Sequence, residues 1–472
     1  MEENRIHLTI NFLVKPDVTH IYPEGEAEFY LVEKLRDLPG RRAVWKAYVY
    51  GTNVLLKVYN KHAKQHRDVD AEWDNAIRLM EYNLRAASPL FRCVGKNGEM
   101  ALAFEYIDKG EIFTEHIKTV KNPLYILKSL FEMHAKQHNV GCYQSDNHLG
   151  NYLCTKGSGL YMLDAGSFVF SKEALSSEER VSNLAMLMAN IPLPLHGLIN
   201  NGMSCYVALC SEGVDKKALL RDVLDAKDKA IQIRLKKYLK KTRRSCTEFE
   251  RKDWGGKTWL ACRELPLELK NKLKEDPDQF FDKSDLLKDG NTCTVTKLAF
   301  GEKKYVLKRY NRKPLGYQLS HIFITPRALR SWTNGHALNL FGIKTPRPQA
   351  CLLVRSGRLM QRAYLLMENI EGETLDQIDA EKIFSPRSPI PEAFCNRWNE
   401  LEAIGATHGD MKASNLIVTP KGDLTLIDLD GLKFDKTDRS HQRRREKDMR
   451  RFMKNWEGNT ELIKTFQDAL LL

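Results

Sequence analysis

Two stretches of this chain repeat the same three polar residues at the same two intervals. Each has an Asp, an Asn five residues later and a second Asp eighteen residues after the first. The first set is Asp146, Asn151 and Asp164, and the second set is Asp410, Asn415 and Asp428. Because two independent intervals recur together, the pattern favours two copies of one domain over coincidence. A chain of 472 residues can give each copy its own core.

Landmarks upstream of the two sets repeat as well. Residues 54–59 and 305–310 are each typical of a strand that carries one lysine, Lys57 or Lys308, among apolar neighbours. A helical segment with a Trp-x-Asn triplet follows in each copy, and then an apolar run that ends at an acidic turn. We therefore expect one domain at residues 1–245 and the other at residues 246–472.

The three repeated residue types are those that phosphoryl transfer needs. One carboxylate accepts the proton of an attacking hydroxyl, while an amide and a second carboxylate hold Mg²⁺ on the nucleotide phosphates. Asp410 is the candidate base, and Asn415 and Asp428 are the candidate metal ligands. Taken alone, Asp410 is better explained as a turn or cap residue, but Asn415 and Asp428 at these intervals favour the catalytic role. Asp430 is either a cap of its loop or a second metal ligand, and His408 is either a brace of the loop or a proton carrier.

The second half also carries a wider set of residues in a recognisable order. These are residues 341–348, His408-Gly409-Asp410, Asn415, Ile427-Asp428-Leu429-Asp430 and the basic stretch 443–451. With them, the second half is similar to the bacterial lipopolysaccharide core kinases, the Kdo/heptose kinase family. The first half resembles the same protein-kinase-like fold more distantly, with Gln144-Ser145-Asp146 in place of His-Gly-Asp. The resemblance implies an α+β fold of tandem protein-kinase-like domains, each with a small β-rich N-lobe and a helical C-lobe.

The resemblance also implies the cofactors, ATP and Mg²⁺, and the same role for each residue of a corresponding pair. The catalytic bases would be Asp146 and Asp410. The metal ligands would be Asn151, Asp164, Asn415 and Asp428. The nucleotide contacts would be Lys57, Lys308, Glu72, Glu105 and Glu368. Lys57, Glu72 and Lys308 can also be interpreted as ordinary surface charges.

The second copy departs from the kinase pattern at one position. Kinases pair the strand lysine with a Glu on the following helix, and in the first copy Glu72 follows Lys57 by fifteen residues. In the second copy the Trp-x-Asn triplet places Ser331 at this point, and no Asp or Glu occurs from residue 325 to residue 345. Lys308 is therefore expected to lack the usual partner.

Sequence motifs and charge narrow the function further. Neither copy has GxGxxG before its lysine or Ala-Pro-Glu after its second Asp, which argues against a protein kinase of the eukaryotic type. The net charge of +13 indicates an anionic partner. The basic runs at 234–244 and 441–451 fit a solvated helix face, a site for anionic lipid or phosphorylated core, or a nucleic-acid site. No nucleic-acid-binding signature supports the last, and we expect no nucleic-acid partner.

These observations lead to one hypothesis and two alternatives. The leading hypothesis is an ATP-dependent sugar kinase that phosphorylates a heptose or Kdo hydroxyl of a lipopolysaccharide inner-core acceptor. In the first alternative, one or both copies are pseudokinases that bind nucleotide and act as a scaffold in envelope assembly. The second alternative is a small-molecule kinase of the aminoglycoside or choline type. We expect a cytoplasmic protein with peripheral contact at the anionic inner-membrane surface, because the first residues lack a signal-peptide layout and the ten scattered cysteines suit reduced thiols.

Overall fold

The chain folds into two compact units that both combine helices and strands. The computed structural model describes residues 8–15, 22–38, 40–61, 65–155, 159–211, 214–282, 285–312, 314, 316, 318, 324–435 and 438–471. Residues 1–4, on which the expectation of no export signal rests, lie outside these ranges. One unit consists of Met1–Ile191 and Leu195–Lys227, and the other of Pro192–Pro194 and Asp228–Leu472. The predicted mixture of helices and strands is thus confirmed.

The first unit begins with six antiparallel strands that close into a barrel. Their order is β1-β2-β3-β4-β6-β5, and the pairing of Phe12 with Gly95 closes the ring. The bounds are Leu8–Val14 (β1), Gly25–Leu38 (β2), Arg42–Val49 (β3), Thr52–Tyr59 (β4), Pro89–Gly95 (β5) and Met100–Glu105 (β6). Val54, Leu56 and Val58 of β4 are buried in the barrel core, so Lys57, between them, projects from the opposite face of the strand.

A second core of the first unit lies beneath helix α1, Gln65–Glu81. Val69, Trp73 and Leu79 recur at helical spacing and are buried in this core. The later elements are Glu111–Ile112 (β7), Phe113–Thr119 (α2), Pro123–Asn139 (α3), Cys142–Gln144 (β8), Tyr152–Thr155 (β9), Gly159–Met162 (β10), Phe168–Phe170 (β11), Ser177–Asn190 (α4), Ile199–Leu209 (α5) and Lys216–Lys241 (α6). Helix α6 runs across the division between the two units.

The second unit is built on a seven-stranded antiparallel sheet of order β12-β13-β17-β18-β16-β15-β14. The bounds are Phe249–Trp254 (β12), Lys257–Cys262 (β13), Leu286–Asp289 (β14), Cys293–Phe300 (β15), Lys303–Tyr310 (β16), Pro348–Ser356 (β17) and Leu359–Glu368 (β18). Leu307 of β16 joins the core on one face of the sheet, and Tyr310 joins the core on the other. The two predicted lysine-bearing strands are confirmed as β4 and β16.

Helices surround the remaining short strands of the second unit. These elements are Leu267–Glu275 (α7), Arg327–Leu340 (α8), Glu373–Thr374 (β19), Ala380–Phe384 (α9), Ile390–Ala403 (α10), Ala406–Thr407 (β20), Leu416–Val418 (β21), Leu424–Leu426 (β22), Lys433–Phe434 (β23), Asp438–Met453 (α11) and Thr460–Leu471 (α12). Phe452 stacks on Phe394 with ring centroids 4.0 Å apart and meets Phe466 edge-on at 4.9 Å. This aromatic cluster fixes α11 against α10 and α12.

Two expectations about the whole chain, reduced cysteine thiols and peripheral contact with the membrane, can be compared with the structure. Each of the ten cysteines is a free thiol. Among the described residues, the helices are all too short or too polar to cross a bilayer.

Candidate functional site

The predicted catalytic loop of the second unit leaves strand β20 through a tight turn. Gly409 has φ +80°, and a Cβ on it would meet the Gly431 carbonyl oxygen at 2.4 Å, so only glycine fits. His408 is fully buried, and its Nε2 donates to the Ile427 carbonyl at 3.0 Å. Burial lowers the pKa of this imidazole despite the nearby Asp448 carboxylate. His408 is therefore placed to hold the loop and is shielded from solvent.

Asp410 is held by three donors from its own unit. Asn415 Nδ2 donates to Asp410 Oδ2 at 3.1 Å and to the Asp410 carbonyl at 2.8 Å. The Lys412 ammonium lies 3.2 Å from Oδ2, and Arg451 Nη1 donates to Oδ1 at 2.9 Å. The carboxylate is thus oriented before any substrate arrives, which is the condition for efficient proton abstraction.

The C-terminal basic helix α11 braces the same loop. Asp448, which is 2% exposed, accepts from Gly409 N at 2.8 Å and from Met411 N at 3.5 Å. One turn further on, Arg451 Nη1 donates to the Gly409 carbonyl at 2.7 Å, in addition to its bond with Asp410. One helix therefore satisfies backbone groups on both sides of the candidate base.

Lys308 and Asp428 form a direct ion pair of 2.7 Å in the second unit. Lys308 is only 7% exposed, so it is not an ordinary surface lysine. Burial alone would lower the pKa of Lys308, but Tyr310 and Asp428 raise it above its usual value. Burial would likewise raise the pKa of Asp428, and Lys308 holds it below its usual value instead. Both partners are therefore charged at neutral pH.

Ser331 indeed stands where the helix glutamate was expected. Its Oγ lies 3.0 Å from the Tyr310 hydroxyl. The acidic group that Ser331 lacks is supplied by Asp430, whose Oδ2 accepts from Arg327 Nε at 2.5 Å. Asp430 also acts electrostatically on Lys308. The site thus keeps two acidic groups, but the second one comes from the loop after β22 and not from helix α8.

A cleft of about 930 Å³ gathers most of the predicted residues of the second unit. Its lining includes Lys308, Glu368, Lys412, Asn415 and Asp428. Glu368, at the end of β18, accepts from Gln349 Nε2 at 3.0 Å, and burial raises its pKa although Arg347 opposes this. Asp410 contacts two lining residues, Asn415 and Lys412, and so lies at the edge of the cleft.

Asn415 and Asp428 provide a donor set that fits a magnesium ion bound together with a nucleotide. Asn415 uses its amide nitrogen on Asp410, which leaves its carbonyl oxygen for a metal. Among the described residues, the hydrogen bonds of Asp428 involve one carboxylate oxygen, Oδ1. Mg²⁺ prefers such hard oxygen ligands and is commonly held by one or two protein groups, with phosphates and water completing the shell. No cluster of three or more His, Cys, Asp or Glu is found in the described ranges, and this type of site does not require one.

The first unit arranges its corresponding residues differently. Lys57 pairs with Glu72, which is 1% exposed and also accepts from the Tyr59 hydroxyl. Arg42 bridges two carboxylates, with Nη1 2.9 Å from Glu72 and Nη2 2.9 Å from Asp164. Burial would raise the pKa of Asp164, but Lys57 and Arg42 hold it below its usual value. Four charges are thus joined in one continuous chain.

The predicted loop of the first unit has the backbone arrangement of the second without its side-chain support. Gln144 donates to the Leu163 carbonyl at 2.9 Å, as His408 does to that of Ile427, and Asn151 donates to the Asp146 carbonyl at 2.9 Å. Among the described residues, none is seen to donate to the Asp146 carboxylate, which is exposed. Glu105 is exposed as well and accepts from Ser88 Oγ at 3.1 Å.

Sequence reasoning missed the residues that act on the predicted site from a distance along the chain. Arg42, Arg327 and Asp448 carry no local motif, although Arg451 lies in the basic run at 441–451. Arg42 is opposite Tyr59 in the β3–β4 ladder. The strand pairing that places Arg42 opposite Tyr59 also brings this arginine beside Glu72. This pairing is the signal that could have identified Arg42.

The comparisons with known proteins concern the second unit. A search of curated protein sequences finds no significant match to the chain. Residues 275–469 match the model of the lipopolysaccharide kinase (Kdo/WaaP) family. This range contains β15, β16, the whole cleft around Lys308 and Asp428, the Asp410 loop and the bracing helix α11, so this part of the chain is similar to a lipopolysaccharide kinase.

Proposed function

We propose that the second unit is an ATP-dependent phosphotransferase whose acceptor is a sugar hydroxyl of lipopolysaccharide inner core, on a heptose or on Kdo. The proposal rests on the cleft that Lys308, Asn415 and Asp428 line together. Beside it, three donors orient the Asp410 carboxylate. This cleft lies within the residues that match the lipopolysaccharide kinase family. We further propose that the two units are copies of one kinase-like domain, which their matching Asp/Asn/Asp spacings support.

The side chains have distinct roles in this reaction. Asp410 accepts the proton of the acceptor hydroxyl as that oxygen attacks the terminal phosphorus of ATP, while the bond from this phosphorus to the bridging oxygen breaks and ADP leaves. Lys308 binds the nucleotide phosphates, and Asn415 and Asp428 hold Mg²⁺. When bound, the metal neutralises negative charge that develops on the transferred phosphoryl group. Arg451 and Lys412 keep the Asp410 carboxylate oriented and place two cations where an anionic acceptor arrives.

The exposed side of helix α11 supports an anionic partner. Arg439, Arg443, Lys447 and Arg450 are exposed and recur every three to four residues, which places them on one face. Arg444 and Arg445 instead pair with carboxylates, Asp435 and Glu402. We propose that the exposed stripe faces phosphorylated core or the anionic inner-membrane surface, at the cytoplasmic side.

Transfer of labelled phosphate tests the proposed activity. Purified protein is incubated with terminally labelled ATP, Mg²⁺ and core oligosaccharide stripped of phosphate, and the product is located by mass spectrometry. We expect one phosphate per acceptor with the wild type and none with Asp428→Asn. Absence of transfer to any core acceptor, or equal transfer by Asp428→Asn, would contradict the proposal.

Sedimentation with vesicles tests the basic stripe separately. The triple variant Arg443→Gln, Lys447→Gln, Arg450→Gln should lose most of its binding to vesicles rich in anionic lipid. A matched control removes three exposed charges from helix α6 with Lys236→Gln, Lys237→Gln and Lys240→Gln. Equal loss in both triples would show that binding reflects net charge and not the stripe.

A further inference from the structure

Asp164 occupies the position in the first unit that Asp428 occupies in the second. Both residues adopt the left-handed conformation, with φ 62° and 58°, directly before a 3-10 turn. Asn75 donates to the carbonyls of residues 165 and 168, and Asn334 donates to those of residues 429 and 432. These acceptors are one and four residues after the aspartate in both cases. If Asp428 holds the metal, Asp164 is therefore its counterpart.

A guanidinium already lies on Asp164 and is fixed there from several sides. Arg42 donates to Asp164 Oδ1 and Glu72 Oε2, both at 2.9 Å, and lies 3.4 Å from the Tyr59 hydroxyl. Its guanidinium carbon lies 5.9 Å from the Tyr59 ring centroid. If Arg42 left, Asp164 would lose this donor and the buried Glu72 carboxylate would lose one of its two cationic partners, with Lys57 and the Tyr59 hydroxyl remaining. The guanidinium also stays charged at any physiological pH.

Among the described residues of the second unit, no guanidinium is seen to donate to Asp428. Cys293 stands opposite Tyr310 in its ladder, where Arg42 stands opposite Tyr59 in the first unit. Arg327 lies over the Tyr310 ring at 5.3 Å and acts electrostatically on Asp428, but its hydrogen bond goes to Asp430. In the first unit Gly166 takes the place of Asp430, and a Cβ there would lie 3.3 Å from that of Glu72. Within the part of the chain that the structure describes, the donor seen on the Asp428 carboxylate is Lys308, whose flexible side chain a nucleotide phosphate can draw away.

We propose that Arg42 replaces the divalent cation at Asp164, so that the first unit is a metal-independent site for a phosphate-bearing ligand and does not transfer a phosphoryl group. This inference rests on the proposed function only in taking Asp428 as a metal ligand. A metal ion at Asp164 would have to lie against a fixed positive charge, and the repulsion between them opposes its binding. The magnesium ligands predicted for the first unit, Asn151 and Asp164, thus do not fit a metal while Arg42 is present.

A cavity beside Arg42 gives a ligand access to this charge. It has a volume of about 440 Å³, and its charged lining residues are Arg41, Arg42, Arg67, Asp68, Glu72 and Asp164. Arg41 and Arg67 are mostly exposed and share one carboxylate partner, Asp68, so their guanidinium groups keep donors for phosphate oxygens without a metal. The ligand class is therefore a phosphorylated anion, and ATP is the first candidate to test.

Counting bound Mn²⁺ in the full-length protein tests the metal half of the inference. Electron paramagnetic resonance measures Mn²⁺ bound in the presence of a non-hydrolysable ATP analogue. We expect Asp428→Asn to lower the count and Asp164→Asn to leave it unchanged. A count that falls with Asp164→Asn would show a metal at the first unit and overturn the inference. This comparison does not require any variant of Arg42 to fold.

Calorimetry in excess EDTA tests the ligand half. With Asp428→Asn protein and the same ATP analogue, we expect binding that added Mg²⁺ does not strengthen and that Arg42→Gln weakens at least tenfold. Arg92→Gln is the matched control in the same unit, since Arg92 pairs with Asp70. Failure to bind without metal, or equal weakening by Arg92→Gln, would overturn the inference.

The two proposals fail in different ways. If the second unit is not a kinase, the transfer assay with core acceptor gives no product, while the effects of Asp164→Asn and Arg42→Gln on binding stand as expected. If instead the first unit binds metal, the Mn²⁺ count reveals it even when transfer by the second unit is confirmed.

Discussion

The two units neutralise their buried strand lysine with different residues. In the first, Lys57 is neutralised by Glu72 from helix α1, and Arg42 ties that glutamate to Asp164. In the second, Lys308 pairs with Asp428 itself, while the separate pair of Arg327 and Asp430 stands beside it. Each unit has two cations and two carboxylates. In the first unit, direct contacts join all four charges in one continuous chain, whereas in the second the contacts form two separate pairs that act on each other only through space.

The difference concerns how easily a ligand can enter each arrangement. A continuous chain of buried charges resists insertion, because displacing one member leaves the others desolvated and unpaired. Two separate pairs let one partner exchange while the other stays. The support of the loops follows the same division, since Asp410 has three donors and the Asp146 carboxylate is exposed. This difference supports our proposal that the second unit transfers phosphate and the first does not.

The largest difference that we expect between the two units is in phosphate transfer. We expect Asp410→Asn to lower kcat by ~10²–10⁴-fold, because it removes the base while its neighbours remain. Asp146→Asn should change kcat less than twofold. The measurement is phosphate transfer to core acceptor at saturating ATP.

Loss of activity in both variants, each correctly folded by circular dichroism, would mean that both units turn over. Loss with Asp146→Asn alone would reverse the assignment of the active unit.

Stability should show that the first unit depends on its helix glutamate. Glu72→Ala leaves Lys57 and Arg42 without their shared partner, and breaking such a buried pair costs ~3–5 kcal/mol. Urea unfolding followed by circular dichroism measures the loss. Asp430→Ala in the second unit is the matched removal, and we expect a smaller cost because its partner Arg327 is 34% exposed. Equal losses of unfolding free energy would contradict the view that the charges form one continuous chain in the first unit and two separate pairs in the second.

Introducing residues of the first unit into the second tests the same difference in charge arrangement. Ser331→Glu places the first unit's glutamate on α8, close to Asp430 and the buried Tyr310, and the added like charge should destabilise the protein by ~1–3 kcal/mol. Asp430→Gly, which copies Gly166, should recover most of that loss when the two changes are combined. A double-mutant cycle on urea unfolding measures the coupling. Strictly additive effects would show that residues 331 and 430 do not share one role.

Much of this fold could be predicted because the relevant signals are local. The strands of Lys57 and Lys308 and the helical Trp-x-Asn segments are confirmed in both units. Periodicity within eight to fifteen residues is sufficient for such elements. The proximity of Asn415 to Asp410 also follows from a short interval and is seen as a 3.1 Å hydrogen bond.

The remaining features depend on contacts between residues far apart along the chain. Barrel closure requires Phe12 to meet Gly95, and Arg42 reaches an aspartate 122 residues later. Asp448 and Arg451 lie in a run whose composition indicates only a basic helix, yet the fold turns both toward the Asp410 loop. Strand register and helix docking decide these contacts, and no single window of sequence contains them.

The smallest effect concerns a histidine that the first unit does not have. His336 lies four residues after Trp332, where Ile77 lies four residues after Trp73. Its ring packs on Trp332 at 4.3 Å between centroids, and burial lowers its pKa to about 3. The unfolded chain binds this proton near the usual pKa of ~6.5, whereas the folded protein does not. Stability contributed by His336 therefore falls as the pH drops below ~6.5.

Replacing His336→Ile should remove this pH dependence. By proton linkage the wild type loses ~1–2 kcal/mol between pH 7 and pH 5 through this residue, and the variant keeps that part. His134, His138 and His408 are also buried with a lowered pKa and remain in both proteins, so the difference between the two unfolding curves isolates His336. Urea unfolding at the two pH values measures it. Equal losses of unfolding free energy in both proteins would show that His336 accepts a proton in the folded state. In that case α8 would be less tightly packed at this position than α1 is around Ile77.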